Sequence, residues 1–452
     1  MTNTEITYNK ALDYLYSFVD YSLRHSSELA KADFNLDRMF ALMEELGNPQ
    51  TKYPIIHVAG TKGKGSVCAL TASALRAAGY KVGLYTSPHL LDFTERIQIN
   101  GEPISHEQLV ELVEEVKPAV AKTPKLTTFE ITTALALLAF AKQNVDAAVI
   151  EVGLGGRLDA TNIVTPQVSV ITSLSYDHTA VLGDTLAKIA GEKAGIIKEG
   201  VPVVSAPQKE EALEVLQRIA RQHNSKITLI GKDVIFERLS SSLDGQTLQL
   251  SSLIFQPTSF EAHIPLLGFN QIENAAISYA ALKASGLEVS DEAIQKGFAQ
   301  VYWPARFEVV RRDPPVILDS AHNQDSFARL RETLDEHFPG KPVYLIFGAS
   351  EDKNIPGMFA EMKPKIKRLI VTRADHPRAL EVEKILELAR GAGVESEAVS
   401  PVEAAFLRAL ENSEKDGSIV LSAGSMFVTA EAMRAWNKIL SDAVSATEAE
   451  SK

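Results

Sequence analysis

Short apolar runs alternate with helical patterns along most of the chain, and this alternation predicts its fold class. In the first half, each run is followed by polar or glycine-rich sequence, and the runs lie at residues 55–58, 81–85, 146–151 and 168–172. The apolar spacing or continuous apolar character of helices is found at 67–78, 107–116 and 131–141. Strands that alternate with helices predict a mainly parallel sheet, whose ligands gather beyond the carboxyl ends of the strands.

The pattern changes in the second half of the chain. Residues 227–264 contain short β segments interrupted by polar residues, which predict a small antiparallel sheet appended to the first domain. Helices are expected at 271–284 and 291–299, after which Trp303-Pro304 interrupts the pattern. Strands and helices then alternate again from 316 to 421. Residues 1–50 are expected to be helical, and the polar tail 441–452 is expected to fray.

A glycine-rich stretch joins the first predicted strand to a helix and reads His57-Val58-Ala59-Gly60-Thr61-Lys62-Gly63-Lys64-Gly65-Ser66. Glycine permits a positive φ and leaves room for a phosphate, whose charge helix N-terminal amides and a lysine can meet. The strict P-loop pattern G-x-x-x-x-G-K-[ST] fails at Val58 and Gly65, so a glycine-rich turn without a ligand stays open as an alternative. The candidate phosphate-binding residues are Gly60, Thr61, Lys62, Gly63, Lys64, Gly65 and Ser66.

The chain has 452 residues, more than one compact core holds, and its length favours two domains. We therefore predict an α/β protein. Residues 1–304 would form a P-loop ATPase domain with a mainly parallel sheet and a small appended antiparallel sheet. Residues 305–452 would form a smaller, Rossmann-like C-terminal α/β domain.

Composition narrows the possible partners and the compartment. Lysine and arginine total 46 against 58 acidic residues, a net charge of −12, which argues against a general nucleic-acid or anionic-membrane surface. The single cysteine, Cys68, excludes an intrachain disulfide and a cysteine-rich zinc site. The N-terminus lacks the pattern of a secretory signal, and the apolar stretch 131–141 is far shorter than the ~20 residues of a membrane span. We expect a cytoplasmic protein.

Polar residues follow several predicted strands. Magnesium prefers oxygen ligands, so Glu151 at a strand end suits it, although a strand-terminal carboxylate also caps turns. Ser87 and His178 could instead have turn roles. Asp319 and His322 could bind a ribose or an amino acid, or could cap the following helix.

Three further candidates also have structural interpretations. Asn274 has the context of a solvated helix residue. Arg306 lies beside aromatic residues and could stack on them structurally. Lys193, in the small-residue stretch Gly191-Glu192-Lys193-Ala194-Gly195, has the composition of an ordinary solvated helix lysine.

Together these segments resemble the Mur ligase superfamily and, within it, the folylpolyglutamate synthases, alone or combined with dihydrofolate synthase. The most specific motif is Glu151-Val152-Gly153-Leu154-Gly155-Gly156-Arg157-Leu158-Asp159-Ala160-Thr161-Asn162. Further matches are the stretch from His57 to Ser66, Leu46-Gly47-Asn48-Pro49, Ser87-Pro88-His89-Leu90, Phe129-Glu130, Asp177-His178, Glu192-Lys193-Ala194-Gly195 and Asp319-Ser320-Ala321-His322-Asn323. Lys62 departs from the asparagine that the family usually has, and this charge is expected to affect nucleotide affinity or preference. The segment from Leu421 to Phe427 matches the family's usual motif less well than the other segments do.

The resemblance implies ATP, two Mg²⁺ ions, a folate and L-glutamate as cofactors and substrates of a monomeric enzyme. Thr61 to Ser66 would hold the ATP phosphates, and Asn274, Arg306 and Asp319 would contact the nucleotide. Ser87 and Glu151 would bind one Mg²⁺, and His178 with a carboxylated Lys193 the second. The catalytic residues would be Lys64, Lys193 and His178, and the substrate-binding residues His89, Phe129, Glu130, His322 and Ser425.

By resemblance, ATP would phosphorylate the terminal carboxylate of a folate, and the amino group of glutamate would then displace phosphate. Whether the enzyme also joins glutamate to dihydropteroate stays open, since Phe129 could stack on a pterin or anchor a buried helix. The sequence also leaves open a Mur-type ligase that acts on a different acid, and a nucleotide-binding regulator without turnover.

Overall fold

The computed structural model describes residues 3–20, 34–256 and 259–450. Contacts within the chain divide it into two compact units. The first comprises Met1–Ser241, Gln246–Pro265 and Asn270–Tyr302, and the second comprises Ser242–Gly245, Leu266–Phe269 and Trp303–Lys452. The second unit therefore includes two short segments that the sequence assigns to the first domain. The bounds 1–304 and 305–452 stay a prediction about independently folding domains.

An eight-stranded sheet organises the first unit. Its strands are β1 (Ile55–Ala59), β2 (Val82–Tyr85), β3 (Ile97–Ile99), β4 (Glu102–Pro103), β5 (Ala147–Glu151), β6 (Val168–Ile171), β7 (Val203–Ser205) and β8 (Ile227–Leu229). Their order is β4-β3-β2-β5-β1-β6-β7-β8, and only the β2–β3 and β3–β4 pairs are antiparallel among those described. Strands β1, β2, β5 and β6 are buried at every residue, which accounts for their continuous apolar runs.

Helices and short 3₁₀ turns precede, connect and follow these strands. The helices are α1 (Asn3–Tyr16), α2 (Asp37–Glu45), α3 (Lys64–Ala77), α4 (His106–Lys122), α5 (Thr128–Lys142), α6 (Thr179–Leu182), α7 (Leu186–Ala194), α8 (Glu210–Gln222), α9 (Phe269–Ala284) and α10 (Asp291–Ala299). The 3₁₀ turns are Pro49–Thr51, Phe93–Arg96 and Ala160–Ile163. Helix α5 is apolar on most sides because it lies in a large apolar cluster, as its sequence predicts.

A three-stranded sheet is appended to the first unit. It consists of β9 (Val234–Ser242), β10 (Gly245–Ser252) and β11 (Ser259–Ile264), in the order β11-β10-β9, and β10 and β11 pair antiparallel. Exposed and buried residues alternate along β11, as on a sheet with one solvated face. The prediction of this sheet is confirmed, with one correction: residues 227–229 form the edge of the eight-stranded sheet instead.

The second unit is built on a six-stranded sheet. Its strands are β12 (Glu308–Arg312), β13 (Pro315–Leu318), β14 (Val343–Phe347), β15 (Ile366–Val371), β16 (Ser396–Ala398) and β17 (Ile419–Ala423), in the order β12-β13-β17-β14-β15-β16. Only β12 runs antiparallel to its described neighbour. The helices are α11 (Gln324–His337), α12 (Ile355–Met362), α13 (Val382–Gly391), α14 (Val402–Asp416) and α15 (Met426–Glu450). The predicted α/β fold class is thereby confirmed.

Several elements differ from the sequence expectations. Helix α3 begins at Lys64, three residues before the predicted start, and α4 continues past Pro118 to Lys122. The backbone of α15 is helical as far as Glu450, where fraying was expected. The sequence did not predict strands β3, β4, β7, β12 and β16 or helices α6, α8, α14 and α15. The expected helical structure of residues 1–50 includes residues 21–33, which lie outside the described residues.

Candidate active site

The glycine-rich turn after β1 is shaped by close backbone approaches. Gly60 has φ +153°, and a Cβ there would lie 1.8 Å from Thr172 Oγ1. Gly63 has φ +86°, and a Cβ there would lie 2.3 Å from Asn274 Oδ1. Both positions therefore exclude side chains, and Gly63 also needs the left-handed backbone that only glycine adopts without strain. Helix α3 begins directly after Gly63, so its N-terminal amides follow the turn.

The turn is tied to the end of β6 and to helix α9. The Thr61 and Lys62 amides donate to the Ser173 carbonyl at 3.0 and 3.2 Å. Asn274 is buried, and its Nδ2 donates to Gln271 Oε1 at 2.9 Å. The interpretation of Asn274 as a solvated helix residue is therefore wrong, because α9 presses this side chain against Gly63.

Three predicted residues converge at the carboxyl ends of the adjacent strands β1, β5 and β2. Lys64 Nζ lies 3.8 Å from Glu151 Oε1, with both side chains largely buried. The Ser87 amide donates to Glu151 Oε2 at 3.2 Å. Glu151 therefore links the lysine of the glycine-rich turn to the segment after β2, as strand-end placement in a parallel sheet predicts.

Lys193, near the end of α7, reaches the same turn from another direction. Its side chain is 5% exposed, and Nζ donates to the Gly60 carbonyl oxygen at 2.8 Å. Burial lowers the pKa of Lys193 to about 7; the Lys64 charge lowers it too, whereas Asp177 and Asp159 raise it. The interpretation of Lys193 as an ordinary solvated lysine is therefore wrong.

The glycine motif after β5 allows α7 to approach closely. A Cβ at Gly156 would lie 2.8 Å from the Lys193 carbonyl oxygen, and one at Gly195 would lie 2.3 Å from Arg157 Cβ. The Arg157 amide donates to the Glu192 carbonyl at 2.7 Å, and the two side chains form an ion pair at 2.9 Å. This turn therefore fixes the end of the helix that carries Lys193.

His178 occupies a strained position before the short helix α6. Its φ is +49°, and its amide donates to Asp177 Oδ1 at 3.0 Å. A non-glycine residue in this region of φ/ψ space is held there by its surroundings. The local hydrogen bond expected of a turn histidine is present, and a ligand role for the ring stays a prediction.

The predicted folate-contacting residues lie beside β2 and α5. The Phe129 ring packs where a Gly153 side chain would be, since a Cβ there would lie 2.4 Å from Phe129 Cζ. The Glu130 carboxylate accepts the Thr127 amide at 2.7 Å and pairs with Arg38 Nε at 3.1 Å. Glu130 is thus engaged in capping α5 and holding α2, so any substrate contact would share it with these partners.

His89 is held by an arginine that the motif does not single out. Arg96 Nε donates to His89 Nδ1 at 3.0 Å, and its guanidinium lies 5.0 Å from the centre of the Phe93 ring. The Glu95 carboxylate accepts the amides of Leu90, Leu91 and Asp92. The segment after Ser87 is therefore braced by its own charged residues.

In the second unit, Asp319 lies at the end of β13. Its carboxylate is partly buried and accepts the amides of Phe307 and Ala321, both at 2.7 Å, and desolvation raises its pKa. Arg306 Nη1 donates to the Ala305 carbonyl at 2.9 Å. Asn323, not Asp319, caps α11, by accepting the Ser326 amide at 3.0 Å. The capping interpretation of Asp319 is therefore wrong.

His322 and Ser425 lie in the two segments that follow β13 and β17, which pair in parallel. His322 Nδ1 lies 2.9 Å from the Ser320 carbonyl, and its amide donates to Ser326 Oγ. Ser425 follows Gly424, whose φ is +104°, and its hydroxyl accepts the Phe427 amide at 3.2 Å. Both residues therefore lie at the carboxyl edge of the sheet, where α/β ligands bind.

The structure brings Gly60, Gly63, Lys64, Glu151, Ser87, Lys193 and Asn274 together through direct contacts. It places Arg306, Asp319, His322 and Ser425 in the second unit. Arg38, Arg96 and Asp159 support the site but were not proposed as site residues. Arg38 and Arg96 carry no local signal, whereas Asp159 lies in the glycine motif and could have been found there.

Two kinds of feature are absent from the described residues. Within 3–20, 34–256 and 259–450, no group of three His, Cys, Asp or Glu side chains could hold a metal ion. In the same part of the chain, no helix is both long enough and apolar enough to cross a membrane.

Comparison with known proteins identifies the class. Residues 58–282 match the Mur ligase middle domain, and residues 305–426 match the Mur ligase glutamate ligase domain. The chain therefore belongs to the Mur ligases. It is 37% identical over 402 residues to "Dihydrofolate synthase/folylpolyglutamate synthase" of Bacillus subtilis, covering 87% of this chain and 92% of that protein. Within the Mur ligases, the chain is a member of the folylpolyglutamate and dihydrofolate synthases, as the resemblance predicts.

Solved structures agree with this assignment. Folylpolyglutamate synthase of Mycobacterium tuberculosis complexed with ADP has a TM-score of 0.85 and 33% identity, covering 96% of this chain and 98% of that one. FolC of E. coli in complex with DHPP and ADP has a TM-score of 0.83 and 31% identity, with coverage of 95% and 98%.

Proposed function

We propose that this ligase uses ATP to join L-glutamate to the γ-carboxylate of a folyl-(poly)glutamate. The folate carboxylate attacks the γ-phosphate of ATP and yields an acyl phosphate and ADP. The amino group of glutamate then attacks the acyl carbon, and phosphate leaves from a tetrahedral intermediate. The reaction needs no covalent bond to the enzyme. The protein therefore needs only to bind and orient the substrates and to stabilise the charge that develops on them.

The observation that carries the proposal is the buried Lys193 amine, 2.8 Å from the carbonyl of Gly60 in the glycine-rich turn. A carbonyl cannot neutralise an ammonium, and burial lowers the pKa of Lys193 to about 7, so a substantial fraction of the amine is neutral near neutral pH. A neutral amine can react with carbon dioxide to form a carbamate with loss of one proton. The carbamate is anionic and has two oxygen acceptors, which an ammonium lacks.

The donor set fits Mg²⁺. Ser87 and Glu151 offer oxygen atoms, and Mg²⁺ binds to one or two carboxylates while keeping several waters. Ser87 and Glu151 would hold one ion, and His178 with carboxylated Lys193 would hold the second. When bound, the ions would neutralise charge on the phosphate oxygens.

Different residues of the protein are proposed to bind the phosphates, the nucleotide and the folate. Lys64 offsets negative charge on the transferring phosphoryl group, and the amides at the start of α3 bind the phosphates. Lys62 adds a second charge to this turn and is proposed to tune nucleotide affinity. Asn274, Arg306 and Asp319 are proposed to contact the nucleotide, and Phe129, Glu130 and His89 the folate.

Glutamate is assigned to the second unit, which matches a glutamate ligase domain. His322 and Ser425 lie in adjacent segments at the carboxyl edge of its sheet and are proposed to contact this substrate. We also propose that the enzyme is a cytoplasmic monomer.

The test is phosphate release by the purified protein with ATP, L-glutamate and a panel of folates. Glutamate-dependent release with a folate, together with a product heavier by one glutamyl residue, is expected. Release with another acid only would indicate a different Mur-type ligase. Nucleotide binding without any release would indicate a regulator without turnover.

A second activity, joining glutamate to dihydropteroate, is favoured by the relative named as both synthases. In this chain, Phe129 packs over Gly153 beside Tyr85. The same assay with dihydropteroate tests it, because absence of product at saturating substrate would leave only the polyglutamylating reaction.

A further inference from the structure

A buried hydrogen-bonded chain begins on β1, three residues before Gly60. His57 is completely buried, and its Nε2 lies 2.8 Å from Thr161 Oγ1, which is also completely buried. Thr161 Oγ1 in turn donates to Asp159 Oδ1 at 2.5 Å. None of these three residues holds a role in the ligase reaction proposed for the chain.

The donor and acceptor of each hydrogen bond in this series follow from the number of protons available. A hydroxyl has one proton, and that of Thr161 is given to Asp159, so its oxygen must accept from His57. His57 therefore carries its proton on Nε2. Burial lowers the pKa of His57 to about 3, so the ring stays neutral and in this tautomer.

Asp159 uses this support to hold the glycine motif. Its Oδ2 accepts the Leu154 amide at 2.8 Å, and its Oδ1 accepts the Thr161 amide at 3.0 Å. The carboxylate is 6% exposed, and its bonds span the turn from residue 154 to 161. A group donating to Thr161 therefore acts on the whole turn.

The glycine motif, held by Asp159, in turn fixes the position of α7. The Arg157 amide binds the Glu192 carbonyl, and Gly156 lies directly against the backbone of Lys193. Lys193 Nζ then returns to the carbonyl of Gly60. The contacts form a closed ring that starts at His57 on β1 and ends at Gly60, the residue directly after β1.

We propose that His57 is a positioning residue for the ligase reaction: through Thr161 and Asp159 it sets where Lys193 lies relative to the glycine-rich turn. The proposal rests on the proposed function only for its activity readout. The ring of contacts is a property of the folded chain, so its rigidity can be measured without turnover.

The test uses pairs of variants that differ in one hydrogen bond. His57→Gln keeps an N–H near the position of Nε2, whereas His57→Leu removes it. Thr161→Ser keeps the hydroxyl, whereas Thr161→Val replaces it with a methyl group of similar size. Tyr53→Phe is the control, because it removes a different buried hydrogen bond, from Tyr53 to the Leu137 carbonyl, outside the ring.

We expect His57→Leu and Thr161→Val to lower kcat by about 10–100-fold, in the range of other supporting residues around catalytic groups. KM for ATP should be unchanged, and the double variant should be no worse than either single variant because both break one chain. His57→Gln and Thr161→Ser should retain most activity. Hydrogen exchange at the Leu154 and Thr161 amides should accelerate in His57→Leu and not in Tyr53→Phe.

Wild-type kcat and unchanged exchange in folded His57→Leu would overturn the proposal, and so would additive losses in the double variant. If His57→Leu does not fold, kcat and hydrogen exchange of Thr161→Val, compared with those of Thr161→Ser, test the proposal in the same way. If the wild-type protein ligates no folate, the proposed function fails, whereas accelerated exchange in the variants would still support the ring. Unchanged exchange would reject the ring whatever the activity.

Discussion

Gly156→Ala tests whether the glycine motif positions Lys193. This glycine lies against the end of α7, and an added Cβ would lie 2.8 Å from the Lys193 carbonyl oxygen and 2.9 Å from that of Glu192. Ordinary contact begins near 3.4 Å, so α7 would need to move by about 0.6 Å from the closer oxygen. The obstructing atoms are backbone, and a rotamer change cannot remove the clash.

The size of the effect follows from this displacement. Overpacking of this kind costs about 1–3 kcal/mol of folding stability. A misplacement of 1 Å at a catalytic group can cost about 100-fold in rate, so a shift near 0.6 Å should lower kcat by roughly 10–100-fold. The free energy of unfolding should therefore fall moderately, while the rate falls strongly.

Gly191→Ala is the matched control, because it lies on α7 as well and a Cβ there would meet nothing within 4 Å. Alanine at an open helical position should stabilise by about 0.5–1 kcal/mol and leave the rate unchanged. Both variants would be measured by glutamate-dependent phosphate release and by thermal unfolding. Wild-type kcat in folded Gly156→Ala would refute the view that this contact sets the position of Lys193.

Three further outcomes are expected. Lys64→Ala should keep the fold but lose about 10²–10³-fold in kcat or more, as judged by phosphate release and circular dichroism, and normal turnover would remove the phosphate-binding role. Lys193→Ala should lose activity that short-chain carboxylic acids partly restore and bicarbonate does not; full activity, or a bare amine beside bound metal in a crystal structure, would reject the carbamate. His57 has a folded-state pKa near 3 against 6.5 when unfolded, so its stabilising contribution is present above pH 6.5 and is lost as the pH falls toward 3. Urea unfolding of His57→Gln should lack this part of the pH dependence, and an identical profile would contradict the neutral buried ring.

The sequence predicts the central architecture well because its core strands are buried at every residue. Strands β1, β5 and β6 appear as continuous apolar runs, and their parallel pairing follows from the helices between them. Short strands were not predicted, since the two or three residues of β4 and β7 carry little pattern. Residues 227–229 were assigned to the wrong sheet because a strand's composition does not specify its partner.

The candidate site was predictable to the extent that glycine and charge occur at strand ends. Lys64, Glu151 and Ser87 follow adjacent strands and meet as expected. The supporting ion pairs were not predictable, because Arg38 contacts Glu130 across 92 residues and no local pattern links them. Burial was also misjudged from residue type: Asn274 and Lys193 are usually exposed kinds of residue, and here each is pressed into the glycine-rich turn.

Lys64 and Lys193 both lie at the glycine-rich turn, but their environments differ and suit them to different chemical roles. Lys64 lies 3.8 Å from the Glu151 carboxylate, which stabilises an ammonium and suits it to supply positive charge. Lys193 is buried against the carbonyl of Gly60, a partner that carries no charge, so its amine can lose a proton and become a nucleophile toward carbon dioxide. The glycines of the motif after β5 make this environment possible, since Gly156 and Gly195 let α7 bring Lys193 under the turn. The specificity of that motif therefore has a physical cause: any side chain at these positions would move the buried lysine away from the phosphates that the turn is proposed to bind.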